Sequence, residues 1–278
     1  MTEKLARSYR YARRVARSRA KNFYYAFVLL NRGRHDAMCA IYAFMRHSDD
    51  LSDEPGKATA ATMARWRSDL DAALDGQLPR HPVWPAFVDT VSRFRIPRRY
   101  FHEMIDGVSS DLEPRRIRTF DELYRYCYQV ASIVGLTVVH VFGFEDPLAL
   151  HLAERCGIAF QLTNILRDVK EDAGLGRVYF AAEDLERFGV DADHFEHNGA
   201  FRELMRDYAA RARAYYEESR PLVGMVSPEC RASLSALIRI YRRLLERIEE
   251  ADYRVLDRRI SLSAFEKALI VARAAIWI

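Results

Sequence analysis

The sequence predicts an all-α fold, and three observations carry that prediction. Glycine (12) and proline (9) are scarce in 278 residues, which removes the turn punctuation that a many-stranded protein needs. Apolar residues recur at three- and four-residue spacing almost from end to end. The breaks between these runs are short and none is low in complexity, so residues 1–278 read as a single helical domain, long enough to enclose a sizeable cavity.

The elements follow in order. The first, about 4 to 18, places Leu5, Tyr9, Ala12 and Ala16 at helical spacing, while Lys4, Arg7, Arg10, Arg13, Arg14, Arg17, Arg19 and Lys21 face only Glu3 as an acid. An organellar transit peptide has a similar composition, but this run continues unbroken into "NFYYAF", so it is read as a basic, solvated helix face. Helical spacing then covers about 22 to 30, 34 to 53, 58 to 75, 83 to 94, 97 to 111, 119 to 143, 147 to 171, 199 to 222, 228 to 250 and 262 to 276. Breaks fall at Pro55-Gly56, Pro79 to Pro82, Pro97, Pro114, Asp146-Pro147, Gly174 to Gly176, Asn198-Gly199 and Pro228. The final "ALIVARAAIWI" contains Arg273 and is shorter than the roughly 18 apolar residues of a membrane span. It reads as a packed last helix, with a membrane-surface anchor as the alternative.

Composition narrows the function classes. Half the residues are hydrophobic and 29% are charged, as in soluble globular proteins. Cys39, Cys127, Cys156 and Cys230 are widely spaced, which suits a reducing cytoplasm and gives neither a zinc site nor a disulfide framework. The net charge of +4 comes largely from the N-terminal helix, and no nucleic-acid-binding module accompanies it. An anionic substrate or a membrane surface remains a fitting partner, and peripheral attachment is the variant of a cytoplasmic location. The oligomeric state is left open.

Two acidic clusters carry the chemistry. "FMRHSDDLSDEP", residues 44 to 55, sets Asp49, Asp50, Asp53 and Glu54 after an apolar run, with Asp49 and Asp53 one helical turn apart. "FQLTNILRDVKEDAGLGRVYF", residues 160 to 180, puts Gln161, Asn164, Asp168 and Asp172 within a narrow arc of one helix face, Glu171 at its edge. A lone D-x-x-x-D pattern is an ordinary charged helix end. Here the second face is embedded among Ile158, Phe160, Leu162, Ile165 and Leu166, where uncompensated carboxylates would cost several kcal/mol each, so a cation is expected between the clusters. Magnesium held by one or two carboxylates, waters and substrate phosphates fits best. "DDLSDEPG" lacks the glycine and terminal glutamate of an EF-hand, and no Glu-x-x-His pair supports a di-iron bundle.

These residues resemble a known family. "YAFMRHSDDLSDE" and "QLTNILRDVKEDAGLGRVYF" look like the two signature motifs of the squalene/phytoene synthases, which join two prenyl diphosphates head to head, and "YCYQVASIVG" (126 to 135) is similar in the same order. The resemblance spans essentially the whole chain and implies an isoprenoid-synthase bundle whose two Asp-rich helices meet at a pocket mouth. It implies magnesium, with manganese as a substitute, held by Asp49, Asp53, Asn164, Asp168 and Asp172. Tyr42 and Arg46 would face the diphosphates, with Gln161, Asn164 and Arg167 completing the second helix and Arg177 and Tyr179 following its glycine loop. Tyr126, Tyr241 and Arg258 are further carry-overs, and Phe23 and Phe27 would line the pocket. One departure is the family's Ser-x-Ser-Phe element: the chain reads "RAKNFYYAF", so Ala20 and Asn22 replace the serines, and Asn22 keeps a hydrogen-bond donor toward substrate.

The implied reaction explains the residue types. Magnesium assists departure of a diphosphate, the allylic cation is attacked by the second prenyl chain, and a cyclopropyl intermediate rearranges in a pocket that must exclude water. Phe23, Tyr24, Phe27, Tyr42 and Phe44 could present ring faces to the cation, but plain core packing is the favoured reading for each of them except Tyr42. His47 and His140 are read as structural or exposed. Phe27 is expected to shorten the pocket, favouring farnesyl diphosphate and a C30 product; phytoene from geranylgeranyl diphosphate is the alternative, and NADPH is required only for squalene. Head-to-tail prenyltransferases and terpene cyclases fit the second motif less well. A phosphohydrolase built on His35-Asp36 lacks suitably placed histidines, and a non-catalytic assembly factor of the same fold is disfavoured by intact acids.

Overall fold

Among the described residues helices account for every regular element of any length, and their ends follow local chemistry. The computed structural model describes residues 2–20, 22–53, 58–112 and 116–276, without the side chain of Asp53. In order they form α1 (Glu3–Arg19), α2 (Phe23–Phe27), α3 (Arg32–Asp53), α4 (Ala60–Leu74), α5 (Trp84–Arg93), α6 (Arg98–Ser109), α7 (Phe120–Cys127), α8 (Ile133–Phe142) and α9 (Leu148–Gly174). Then come α10 (Ala182–Phe188), α11 (Gly199–Glu218), α12 (Leu222–Met225), α13 (Pro228–Glu250) and α14 (Ala264–Ile276). Side-chain caps open several of them: Thr59 accepts from the Thr62 amide at 3.1 Å and Asn198 from that of Phe201 at 2.9 Å. Only two isolated β-bridges occur among the described residues.

The expected helices are present, with four departures. The run expected at 22 to 30 is helical only over Phe23–Phe27. The stretch 119 to 143 is divided by a π-helical turn, Tyr128–Ser132, between α7 and α8. The stretch 199 to 222 ends α11 at Glu218 and begins a separate α12 at Leu222. The short α10 was not expected, because seven residues with few apolar positions give too little periodicity to read.

Packing places the site. The buried side chains form one hydrophobic cluster running from Tyr9 to Ala274. The long α9 packs against α8, α11 and α13, and α1 packs along α3. Gly157 of α9 allows the π turn to come close: a β-carbon there would lie 2.4 Å from Ser132 Cα. Phe44 is on the side of α3 away from the pocket, stacked on Phe87 at 4.2 Å and on Trp66 at 5.5 Å. Tyr24 packs edge-on to His35 at 5.9 Å. Neither of these two rings borders the central cavity, which agrees with the core packing that the sequence favours for them.

Candidate active site

A cavity of about 400 Å³ lies between α3, α8, α9, α13, the π turn and α2, within the usual range for small-molecule sites. Helical spacing gives it a graded lining. Along α3 the inward residues pass from Met38 and Ile41 through Tyr42 and Met45 to Arg46 and Asp49; along α9 they pass from Cys156 and Phe160 through Gln161 and Asn164 to Asp168 and Asp172. Both helices thus become polar toward their C-termini, where unsatisfied carbonyls carry partial negative charge. Carboxylates added at such ends favour a bound cation.

The loop after α9 brings a third set of groups to this end. Gly176 adopts φ +71°, which lets the chain turn back so that the Arg177 amide donates to the Asp172 carbonyl at 2.9 Å. Val178 then forms a parallel bridge with Arg116. Here Tyr126 and Tyr179 stack at 4.9 Å and donate to the two carboxylate oxygens of Asp111, at 2.9 and 3.1 Å. Arg177 donates to the Asp111 carbonyl at 3.3 Å. Burial, with the Asp111 charge next in weight, holds both phenols far above their ordinary range, so they remain hydrogen-bond donors.

Arginines pair with two of the acids in this state. Arg46 pairs with Asp50, and Arg167 pairs with its neighbour Asp168, Nε to Oδ1 at 2.8 Å. Arg259 adds bonds from Nε and Nη2 to the same oxygen at 3.0 and 2.8 Å. Asp172 is pushed up to about 7, first by burial and then by repulsion from Asp168. Burial also moves Tyr42 up to about 12. Deeper in, Tyr241 stacks on Phe160 at 4.1 Å, with Asn22 and Asn164 near its hydroxyl.

The residues singled out from sequence therefore separate into groups. Tyr42, Arg46, Asp49, Gln161, Asn164, Arg167, Asp168, Asp172, Arg177, Tyr179, Tyr126, Tyr241, Phe23 and Phe27 all border the one cavity. Asn22 sits behind this lining, against Tyr241. Ala20 is 2% exposed, inside the core and not beside the polar end. Arg258 is exposed and does not border the cavity; its neighbour Arg259 is the one that reaches Asp168, since a one-residue step in the segment after α13 changes which side chain turns inward. The Asp53 side chain and Glu54 lie outside the described residues. The sequence reading missed Asp111 and Arg259, which no spacing relates to either motif; one weak signal was "SSDLEP", an acid just past the end of an apolar helix.

The donor set suits a hard divalent cation. The Asn164 side-chain oxygen is buried without a hydrogen-bond partner, and Asp172, raised by burial and by Asp168, is a carboxylate that a nearby cation would stabilise. Among the described residues no group of three His, Cys, Asp or Glu converges as a ready-made metal cage. Magnesium needs none, because it commonly completes its shell with waters and substrate phosphates.

Comparison with known proteins agrees with this geometry. A profile of the squalene/phytoene synthase family matches residues 16–266. A phytoene synthase of Arthrospira platensis is 35% identical over 96% of this chain and 92% of its own. Phytoene synthase 3 of Zea mays is 37% identical over 94% of this chain, which spans 63% of that longer protein. Among solved structures, a dehydrosqualene synthase with bound ligand superposes with a TM-score of 0.91 at 29% identity, covering 99% of this chain and 98% of that one. A squalene synthase of Alicyclobacillus acidocaldarius gives 0.84 at 26% identity, over 91% and 97%. With a family match over nearly its whole length and a helical fold shared end to end, the chain belongs to the squalene/phytoene synthase family.

Proposed function

We propose that this protein is a divalent-metal-dependent prenyltransferase that condenses two prenyl diphosphates head to head, with phytoene from two C20 diphosphates as the first reading. One observation carries the reaction class: two helices deliver Asp49, Asp168 and Asp172 to the polar end of a single cavity whose remaining walls are apolar. The C20 reading rests on relatives at 35 to 37% identity that are named phytoene synthases, and it reverses the preference for C15 drawn from sequence alone.

Asp49, Asp168 and Asp172, with Asn164 and Asp53, would hold magnesium, or manganese in its place. Such a cation, when bound, would supply positive charge to offset that of a leaving diphosphate. Arg46, Arg167, Arg177 and Arg259 now lean on protein oxygens, and diphosphate oxygens are the natural replacement for those partners. The Tyr126 and Tyr179 hydroxyls stay protonated and so can donate to the same group. Phe23, Phe160 and Tyr241 border the cavity as one aromatic cluster that could stabilise a cation, and the apolar side chains of Val130, Val134 and Val138 on its wall would disfavour water.

A second reading keeps a C30 product from farnesyl diphosphate, because Phe27 is 1% exposed yet lies in the cavity wall and takes up volume that a longer tail would need. NADPH enters only if that product is squalene. Incubation with each diphosphate plus magnesium, with and without NADPH, followed by mass analysis of the hydrocarbon, separates the readings. A C40 product formed without NADPH is expected; turnover that persists in excess chelator sinks the metal-bridging account.

A further inference from the structure

The stretch from Arg177 to Ala181 reaches the polar end of the cavity without a helix of its own, and it is held from behind by a buried charge pair that the proposed reaction does not use. Tyr179 borders the cavity, whereas the next residue, Phe180, packs edge-on to Tyr208 of α11 at 4.9 Å and does not. The Tyr208 hydroxyl accepts from the Ala181 amide at 2.9 Å and donates to the Asp184 carboxylate at 3.0 Å. Asp184 is 3% exposed and also accepts from Arg211, Nη1 to Oδ2 and Nη2 to Oδ1, each at 2.9 Å. The Arg211 guanidinium lies over the Phe120 ring at 4.4 Å. A second line of contacts ties the same region to the chain around the start of α7: the Ala182 amide donates to the Ile117 carbonyl at 2.8 Å, and the Phe120 amide to Glu183 at 2.7 Å.

We propose that Tyr208, Asp184 and Arg211 are positioning residues for diphosphate binding: they fix the stretch 177–181 so that the Arg177 guanidinium and the Tyr179 hydroxyl stand at the polar end of the cavity. This role rests on the reading of those two groups as diphosphate donors. Reach is the first argument. Tyr208 grips the backbone at Ala181, two residues from Tyr179 and four from Arg177, so at most roughly 7 and 14 Å of chain separate the grip from the donors. Over so short a span a displaced backbone displaces the donors with it, and a shift of about 1 Å in a site can cost on the order of a hundredfold. Chemistry is the second argument. A buried ion pair is often no more stabilising than apolar side chains of the same volume, but a guanidinium forked onto a carboxylate has a single bonded geometry. Asp207 and Arg187 complete a cluster of two acids and two arginines. The clamp is therefore neutral as a whole, and it acts on the site through position and not through charge.

Tyr208→Phe removes the hydroxyl and keeps the ring, so the helical circular dichroism should persist. It should raise KM for the prenyl diphosphate about tenfold at saturating magnesium, and weaken binding of inorganic diphosphate with magnesium, read by calorimetry, by a similar factor. Arg211→Lys keeps the charge but loses the fork, and should move both quantities in the same direction without disturbing the Tyr208 ring. A role confined to stability is separated by Tyr179→Phe. On that background Tyr208→Phe should cost at most about threefold, because one of the donors it positions is already gone. Folded variants with unmoved KM and unmoved diphosphate affinity overturn the proposal, as do losses that multiply in full on the Tyr179→Phe background. A wild type that takes up no prenyl diphosphate overturns the reading of the site and the clamp's role with it; an active wild type with unmoved variants overturns the clamp alone.

Discussion

Asp168 is the most heavily engaged acid at the polar end, gripped by Arg167 from its own helix and by Arg259 from the segment after α13. If those cations stand in for metal and substrate, Asp49→Asn and Asp168→Asn should each lower turnover by at least roughly a hundredfold, the scale of losing one transition-state stabiliser. Circular dichroism of both variants should stay helical; loss of helix in both would point to a structural role. Asp172 supplies a pH test in the metal-free protein. Its folded value of about 7 lies above its ordinary 3.8, so the folded chain binds the proton more tightly. The resulting stability is present below about pH 4 and is lost as pH rises through about 7. Asp172→Asn removes this dependence, and its melting temperature relative to wild type should therefore climb between those limits. A difference that stays constant with pH would show that the carboxylate is not held protonated. In sequence, Asp168 and Asp172 were legible because four-residue spacing reports a shared helix face. Asp111 was not, since its tyrosine partners come from α7 and from the loop after α9, 15 and 68 positions away.

At the scale of elements, the close approach of α9 and the π turn shapes the cavity wall. Gly157 makes that approach possible, and a methyl group there meets Ser132 backbone at 2.4 and 2.7 Å. Backbone cannot yield as a flexible side chain does, so Gly157→Ala should destabilise by about 1–3 kcal/mol, measured as a lower denaturation midpoint with unchanged slope. An unchanged midpoint would mean that the contact is looser than described. The same π turn explains a partial failure of the sequence reading. Periodicity predicted one helix from 119 to 143, and the apolar pattern does continue through it, but a one-residue change in hydrogen-bond register leaves almost no trace in side-chain spacing. Breaks that rest on proline or glycine, such as Asp146-Pro147 before α9 and Gly174 to Gly176 after it, were legible because those residues act locally.

Across the whole molecule, Phe27 tests the second, C15 reading. If Phe27 limits the tail, Phe27→Ala should raise the ratio of C20 to C15 use by at least about tenfold, since an extra isoprene unit adds five carbons at about 0.8 kcal/mol per buried methylene; the C20 reading predicts that wild type already takes the longer tail. If wild type already takes C20 diphosphate freely and the ratio does not move, Phe27 packs beside the tail and not in its path. What the sequence determined by itself was the helical class, most element positions and the two carboxylate faces, because each follows from spacing along one helix and needs no partner to be read. What the tertiary structure decided was which rings face the cavity, Phe23, Phe27 and Tyr42 but not Tyr24 or Phe44, and which arginine, Arg259 in place of Arg258, reaches an acid. Those outcomes depend on the rotation and approach of helices far apart in the chain, and a helix with apolar residues on both sides, as α3 has, carries no local mark of which side meets the core and which lines the void.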